Sequence, residues 1–233
     1  MLDDLSIVIP IGPGDSAWKS LLSDLTYLPA SAEVLLVGVD AEPEEFEQYA
    51  ATTLTCMARW LQSEAGRARQ LNYGAEHATG SILWFLHADS RVNPAALDML
   101  DSALCESHDS IHYFELAFQA DGPRLTGINA WGANFRSRFF HLPFGDQGFC
   151  LAKHIFHQLG PFDETVRYGE DHLLIWKAHR EKVSVRLVPA KVTTSARKYK
   201  QQGWLWLTCV HLWRTGRQAL PQLARLLIDR KGA

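Results

Sequence analysis

The chain has 233 residues, of which 47% are hydrophobic, as is typical of one α/β domain with a substantial core. Its four cysteines are far apart and form no CxxC pair, so neither a disulfide framework nor a structural zinc site is indicated. The start Met1-Leu2-Asp3-Asp4 is acidic where a signal peptide would be basic, and no apolar run approaches the roughly 20 residues that span a bilayer. We expect a cytoplasmic protein without a nucleic-acid partner.

Charge is distributed unevenly along the chain. Residues 1–186 contain 14 basic and 25 acidic side chains, whereas residues 187–233 contain nine basic side chains and one acidic side chain. Such a basic end could contact anionic lipid headgroups, phosphate groups of a ligand, or the acidic body of the same chain. Bulky apolar residues such as Trp204, Trp206 and Trp213 lie in this end, which predicts either core packing or an interfacial membrane helix.

Short apolar strands alternate with helical patterns in the first half of the chain. The predicted strands are residues 5–10, 33–40, 54–60 and 81–86, and the predicted helices are residues 16–28, 43–50, 65–77 and 94–106. Repeated βα units of this kind predict a mostly parallel, doubly wound sheet.

The alternation is less regular in the second half. The predicted strands are residues 111–118, 148–151 and 183–188, and the predicted helices are residues 125–140, 170–180 and 202–230, the last with an interruption at Pro221. No internal repeat or flexible linker separates the halves, so residues 1–233 are expected to form a single domain.

Two acids follow predicted strands, Asp40 after residues 33–39 and Asp89 after residues 81–86. Ligands of open α/β sheets bind outside the carboxyl ends of the strands, so these acids are candidates for ligand contact. A carboxylate at such a position also suits Mg²⁺ or Mn²⁺. The alternative is that Asp89 or Ser90 only caps the helix that begins near Pro94.

Charged pairs stand at the starts of two predicted helices. Arg67 and Arg69 can clamp phosphate, although they can equally be solvated surface charges. One acid of Glu170-Asp171 could act as a general base, although both can equally stabilise the helix N-terminus. His154 and His157 are predicted on a helix surface, because no third ligand stands at a recognisable spacing.

In their order, these segments resemble glycosyltransferase family 2, from Ser6 to about Trp213. Within this family, the chain resembles most specifically a bacterial branch, the radical-SAM/selenodomain-associated or arsenosugar-biosynthesis-type transferases. The segments that carry it are Ser6–Pro10, Asp40, Gly66–Asn72, Phe85–Ser90, Gly145–Gly148, Glu170–Asp171 and Val192–Arg197.

The resemblance implies a GT-A fold: a Rossmann-like α/β domain with a mostly parallel central sheet flanked by helices, followed here by a C-terminal helical segment. Residues 1–90 would form a nucleotide-binding half, residues 91–200 an acceptor and catalytic half, and residues 201–233 a basic, Trp-rich helical tail. It also implies inverting transfer of a sugar from a nucleotide diphosphate to an unknown acceptor hydroxyl, assisted by a divalent cation, Mn²⁺ or Mg²⁺.

Roles follow from the resemblance by position. Asp171 would be the catalytic base, with Glu170 as its support. Asp89 would hold the metal. Donor-binding residues would be Pro10, Asp40, Arg67, His87 and Asp89, and Asp146 and Gln147 would line the acceptor side or the donor sugar.

The chain departs from the family pattern in two loops. It has Pro10-Ile11-Gly12-Pro13-Gly14 where such enzymes read Pro-Val-Leu-Asn-Glu, and Asp40-Ala41-Glu42-Pro43-Glu44-Glu45 where they read Asp-Gly-Gly-Ser-Thr-Asp. Extra carboxylates beside a nucleotide pocket would repel phosphates unless they turn outward. Two alternatives therefore stand beside the transferase: a sugar nucleotidyltransferase, and a catalytically degenerate protein that binds membrane surfaces through residues 201–233.

Overall fold

A computed structural model describes the backbone of residues 1–232 and the side chains of residues 1–226. The strands are Leu5–Ile11 (β1), Glu33–Gly38 (β2), Met57–Gln62 (β3), Ile82–Phe85 (β4), Arg91–Val92 (β5), Ser110–Phe118 (β6), Phe149–Ala152 (β7) and Ser184–Thr194 (β8). The helices are Trp18–Asp24 (α1), Phe46–Thr53 (α2), Arg67–His77 (α3), Pro94–Glu106 (α4), Thr126–Phe140 (α5), Lys153–Leu159 (α6), Glu170–Arg180 (α7), Arg197–Gln202 (α8) and Trp204–Gly232 (α9).

One sheet of eight strands runs through both predicted halves, in the order β3-β2-β1-β4-β7-β6-β8-β5. The first four strands in this order are mutually parallel, and β6 pairs with β8 in parallel. β7 is antiparallel to both of its neighbours, and β5 is antiparallel to β8. The N-terminus of β7 therefore lies beside the carboxyl end of β4, which brings the turn at residues 145–147 to the edge where Asp89 follows β4.

The central parallel strands β1, β2 and β4 are covered on both faces, as their continuous apolar sequences predict, whereas the edge strand β3 is partly exposed. β2 and β4 are buried at every position. Helix α3 packs closely on β1, because a Cβ atom at Gly74 would lie 2.4 Å from Val8. The Gln70 side chain donates to the carbonyls of Ile11 and Val37, which fixes α3 against two strands. This contact holds the start of α3, with Arg67, at the carboxyl edge of the sheet.

β8 continues well beyond the predicted end at residue 188. Pairing changes register between Phe114, opposite Val188, and Glu115, opposite Lys191. The two intervening residues, Pro189 and Ala190, form a bulge-like irregularity. Because Pro189 has no N–H to donate, it is left out of the pairing, and the strand pairs again after Ala190. The extension delivers Thr194 to the side of Asp89.

Two expectations about helix ends are corrected. Asn93, rather than Asp89 or Ser90, caps α4, because its side chain accepts from the backbone N–H of Ala95. Pro221 lies inside α9 and does not interrupt it, since a proline removes only one N–H donor from a long helix. The break falls earlier, at Gly203, whose φ of +87° suits glycine. No helix among the described residues is long and apolar enough to cross a membrane.

Candidate active site

A cavity of about 440 Å³ opens where β4 ends. Five residues that the sequence singled out line this cavity together: Arg67, His87, Asp89, Asp146 and Asp171. The rest of its wall comes from α8, α9, the segment that leads into α7, and the ends of β6 and β8. The fold thus brings into one site side chains that are as far as 104 positions apart in the chain.

Asp171 lies in the first turn of α7, directly after Gly169, whose φ of +78° allows the chain to turn into the helix. The side chain is nearly buried and accepts the backbone N–H of Gly145. Burial favours the protonated form, but Arg67 and the N–H of Gly145 outweigh it, so the pKa of Asp171 lies below its ordinary value. Asp171 is therefore ionised at neutral pH and able to accept a proton.

Arg67 connects α3 to the acidic pair of α7. Its Nε donates to the carboxylate of Glu170, and its Nη2 lies 3.8 Å from Oδ1 of Asp171. Glu170 is only 2% exposed, so this ion pair neutralises a carboxylate that the fold has removed from water. In this structure the guanidinium therefore contacts both acids of α7, and its pairing with Glu170 holds it beside Asp171.

His87 lines the cavity together with Arg67 and Asp171. Burial lowers the pKa of His87 well below its usual range, and the positive charges of Arg67 and Lys198 lower it further, against the opposing effect of Asp171. The imidazole is therefore neutral at physiological pH. A neutral ring can accept or donate a hydrogen bond without adding charge to the site.

Asp89 is half-buried at the end of β4, and its Oδ1 lies 3.4 Å from the hydroxyl of Thr194. Burial raises the pKa of Asp89. Lys198 acts in the opposite direction, Asp15 adds to the rise, and Arg197 opposes it. The charges of Asp15 and of the two α8 cations, Arg197 and Lys198, therefore all act on the carboxylate of Asp89.

These residues fit a divalent cation bound together with phosphates. Asp89 has one weak hydroxyl contact, so its carboxylate oxygens are open to a further partner in the cavity. Mg²⁺ is commonly held by one or two carboxylates and substrate phosphates rather than by a full protein cage. Asp89 is therefore the residue that would hold such an ion.

A separate group of His108, Asp109 and His154 also has metal-ligand chemistry. Nδ1 of His108 and Nε2 of His154 each lie 3.1 Å from Oδ1 of Asp109. As predicted, His154 lies on the exposed face of α6, and its neighbours in this group come from residues 108–109, a distant segment that no spacing motif would indicate. The group precedes β6 and follows β7, which places it at the opposite edge of the sheet from Asp89.

Two predicted donor-binding residues do not line the cavity. Asp40 is exposed, and its Oδ2 accepts the backbone N–H of Gly14 at 2.9 Å, so it orders the loop after β1. Pro10 is half-buried near the end of β1, in register with Val37. Both lie on the side of the sheet edge toward α1.

The additional acids after Asp40 are exposed to solvent and do not line the cavity. Glu42, Glu44 and Glu45 are all exposed, and Glu45 forms an ion pair with Lys19 at 2.9 Å. The outward orientation removes the main objection to a phosphate ligand beside this loop.

The two polar residues of the 145–147 turn differ in their surroundings. Gln147 is fully buried, and its amide bonds the hydroxyl of Ser137 and the carbonyl of Phe114. It therefore holds the turn to α5 and β6, and its side chain is not among those that line the cavity. Asp146 does line the cavity. Burial raises the pKa of Asp146 to about 6, with Arg136 opposing the rise and Asp171 adding to it.

The sequence did not indicate several residues of the site. Lys198 lies one position after the Val192–Arg197 segment, and its charge acts on both His87 and Asp89. Arg136 stacks on the ring of Phe144 at 3.6 Å and acts on Asp146. Their only sequence signal was a basic residue near a motif, which is common on any surface.

The sheet order and the site at the carboxyl edge define a GT-A fold, and solved structures support this class. The S. aureus TarS 1-349 structure in complex with UDP-GlcNAc is similar with a TM-score of 0.63 at 17% identity, over 83% of this chain and 59% of that chain. GalNAc-T7 with UDP, GalNAc and Mn²⁺ is similar with a TM-score of 0.61 at 16% identity, over 83% of this chain and 44% of that chain.

The family follows from the sequence itself. The model of glycosyl transferase family 2 matches residues 38–158, which is just over half of the chain. The chain therefore belongs to glycosyl transferase family 2. The matched segment includes Arg67 and Asp89 but ends before Glu170 and Asp171.

Two findings limit how far the likeness extends. The chain spans between 37% and 60% of the length of the similar structures. No curated protein sequence matches it significantly.

Proposed function

We propose that the protein transfers a sugar from a nucleotide-diphosphate donor to an acceptor hydroxyl, with inversion at the anomeric carbon. The observation that carries the proposal is that Asp171, buried and ionised, lines the same cavity as Asp89 and His87. A general base must lie within reach of the attacking hydroxyl, and the leaving group must be stabilised at the other end of the reacting bond. One cavity of about 440 Å³ offers both kinds of group.

In the proposed reaction, Asp171 takes the proton of the acceptor hydroxyl as the acceptor oxygen bonds to the anomeric carbon. The bond from that carbon to the diphosphate oxygen breaks, and its electron pair leaves with the nucleoside diphosphate. Attack from the face opposite the leaving group inverts the configuration. Arg67 holds Asp171 in place through its contacts with both acids of α7.

The donor diphosphate would lie beside Asp89 and α8. A divalent cation at Asp89, Mn²⁺ or Mg²⁺, would supply positive charge to the leaving diphosphate. Lys198 and Arg197 supply further positive charge from the chain itself. We place the nucleoside toward Asp40 and Pro10, outside the cavity, where Asp40 orders the Gly14 loop.

The bacterial branch named from the sequence remains part of this proposal. Its support is the retained series of polar positions, because Arg67, His87, Asp89, Asp146 and Asp171 line one cavity although they come from different elements. The sugar, the base and the acceptor are determined by the shape of the loops around these residues.

Titration calorimetry with uridine and guanosine diphosphates, with and without Mn²⁺, tests donor binding. Release of nucleoside diphosphate from the matching nucleotide sugars tests transfer, and the anomeric configuration of the product, read by nuclear magnetic resonance, tests inversion. We expect binding to require Asp89 and release to require Asp171. Pyrophosphate release from a nucleoside triphosphate would favour the nucleotidyltransferase instead, and binding without any turnover would favour the degenerate protein.

A further inference from the structure

Large exposed apolar side chains are concentrated on two helices. Among the described residues, 16 large hydrophobic side chains are exposed, and 11 of them lie on α5 and α9. On α5 they are Ile128, Trp131, Phe135, Phe139 and Phe140; on α9 they are Leu205, Trp206, Leu212, Trp213, Leu220 and Leu223. Clusters of this kind mark interaction surfaces, whereas single exposed apolar residues are ordinary.

The apolar residues of α9 form one face. Leu205, Leu212, Leu220 and Leu223 follow one another at helical spacing, and Gly216 falls on the same line. The opposite face carries Leu207, Arg214 and Gln218, which line the cavity of the active site. Helix α9 therefore presents its polar side to the site and its apolar side to the outside.

Helix α5 repeats this arrangement and is joined to α9. Its outward residues Ile128, Trp131, Phe135 and Phe139 share a face, while Ser137 on another side bonds Gln147 in the interior. Asn129 connects the helices, since it donates to Thr208 at 3.0 Å and accepts from Nε1 of Trp204 at 2.6 Å. These bonds join the first turns of the two helices, beside the exposed Ile128 and Leu205, so the two apolar faces meet at their starts. We call them together the α5–α9 face.

The charged side chains around the α5–α9 face are positive. The sequence contains no Asp or Glu in residues 122–145 or in residues 182–228. Arg124, Arg217 and Arg225 are exposed there, and none of them forms an ion pair with another described residue. The Arg217 guanidinium lies 5.3 Å from the ring centroid of Trp213, so the cation and the aromatic ring are presented together.

We infer that the α5–α9 face docks on the surface of an anionic lipid bilayer. Tryptophan and phenylalanine at the headgroup boundary, ringed by arginine, are the composition of helices that lie in the plane of a membrane. Because no described helix can cross a bilayer, the contact is peripheral. Two copies of the same face would bring their arginines together, so like-charge repulsion disfavours a symmetric dimer through it.

This docking extends the role that the sequence gave to residues 201–233, because it adds a second helix from the middle of the chain. It does not depend on the transferase proposal. Where both hold, α9 would form a wall of the cavity on one side and the membrane contact on the other, so the site would open beside the bilayer.

Flotation of the full chain with vesicles tests the inference. We expect binding to vesicles that contain phosphatidylglycerol, little binding to pure phosphatidylcholine, and weaker binding at high salt. Trp131→Glu and Trp206→Glu should each weaken binding to anionic vesicles about tenfold, and the double variant more, because each removes a large anchor and adds a repelled charge. Trp131 and Trp206 are 69% and 68% exposed, so neither change disturbs the core.

Tyr27→Glu is the matched control, since Tyr27 is also 69% exposed but lies outside both helices. It should bind vesicles as the unmodified chain does, and thermal melting should show all four variants folded. Undiminished binding by the double variant would overturn the inference, as would an equal loss in Tyr27→Glu. A wild-type dimer in light scattering that the tryptophan variants dissociate, without vesicle binding, would assign the α5–α9 face to a second copy instead.

Discussion

Gly145 donates its backbone N–H to the carboxylate of Asp171, and no larger residue could approach so closely. A Cβ atom at position 145 would lie 2.9 Å from Oδ2 of Asp171 and 3.1 Å from its Cβ. The backbone conformation of Gly145 is not itself unusual, so the glycine is required by space. The turn at residues 145–147 therefore sets the position of the proposed base.

Gly145→Ala should move Asp171 away from its place and slow transfer about 10- to 100-fold, because small misplacements of a reacting group are costly. Donor binding, measured by calorimetry, should change little. Gly132→Ala is the control, since a Cβ there has nothing within 4 Å and alanine suits a helix better than glycine. Equal rates for Gly145→Ala and the unmodified chain would show that Asp171 is not the base.

The two candidate metal positions lie at opposite edges of the sheet, and substitution separates them. Asp89→Asn should weaken Mn²⁺-dependent binding of nucleoside diphosphate about tenfold or more, because an amide is a much poorer ligand for a hard cation. His154→Ala should leave this binding unchanged, since His154 belongs to the group with Asp109. Calorimetry with and without Mn²⁺ measures both. A loss on His154→Ala with none on Asp89→Asn would reverse the assignment.

Apolar patterns predicted the strands of the first half well. The run at residues 81–86 identified β4 because a strand buried on both faces reads as continuous apolar sequence, and Pro94 identified the start of α4 because proline suits the first turn of a helix. β8 was predicted too short, because Pro189 reads as the end of a strand. Pairing resumes after Pro189 because the register between β6 and β8 shifts there, and the sequence of β8 alone does not reveal such a shift.

The sequence predicted a site residue only where its position within a strand or helix already places it at the carboxyl edge of the sheet. Asp89 follows a strand and Asp171 lies at the start of a helix, so both could be identified from the predicted elements. The burial of Gln147 depends on Ser137 and Phe114, and the approach of Lys198 to His87 depends on the course of β8. Such contacts join distant segments, and neither spacing nor composition encodes them.

Lys198 supplies a test of how the chain itself attracts the donor. Lys198→Met should weaken binding of nucleoside diphosphate about five- to tenfold, because it removes a positive charge from beside His87 and Asp89. Lys200→Met, an exposed change on the same helix, should have little effect. Calorimetry at two salt concentrations measures both variants. Equal losses for the two would mean that only the overall charge of α8 matters.

Glu33 offers a test of stability that is independent of the active site. It is 5% exposed at the start of β2, where its carboxylate accepts from Ser6 and Thr79 and pairs with Arg59 at 2.9 Å. Burial alone would raise the pKa of Glu33, but these hydrogen bonds outweigh it and lower the pKa to about 2, from 4.5 for the free side chain.

Because the pKa of Glu33 is lower in the folded than in the unfolded chain, its ionised form stabilises the fold above pH 4.5, and this stability is lost as the pH falls toward 2. The shift corresponds to about 3 kcal/mol. Glu33→Gln should lower the free energy of unfolding at neutral pH by a similar amount. The free energy of unfolding of this variant should also fall less steeply as the pH is lowered. Urea titrations at several pH values measure both effects. Glu76→Gln, an exposed change on α3, should leave both the stability and its pH dependence unaltered. A decline in acid that is equally steep in Glu33→Gln would assign the acid sensitivity to other carboxylates.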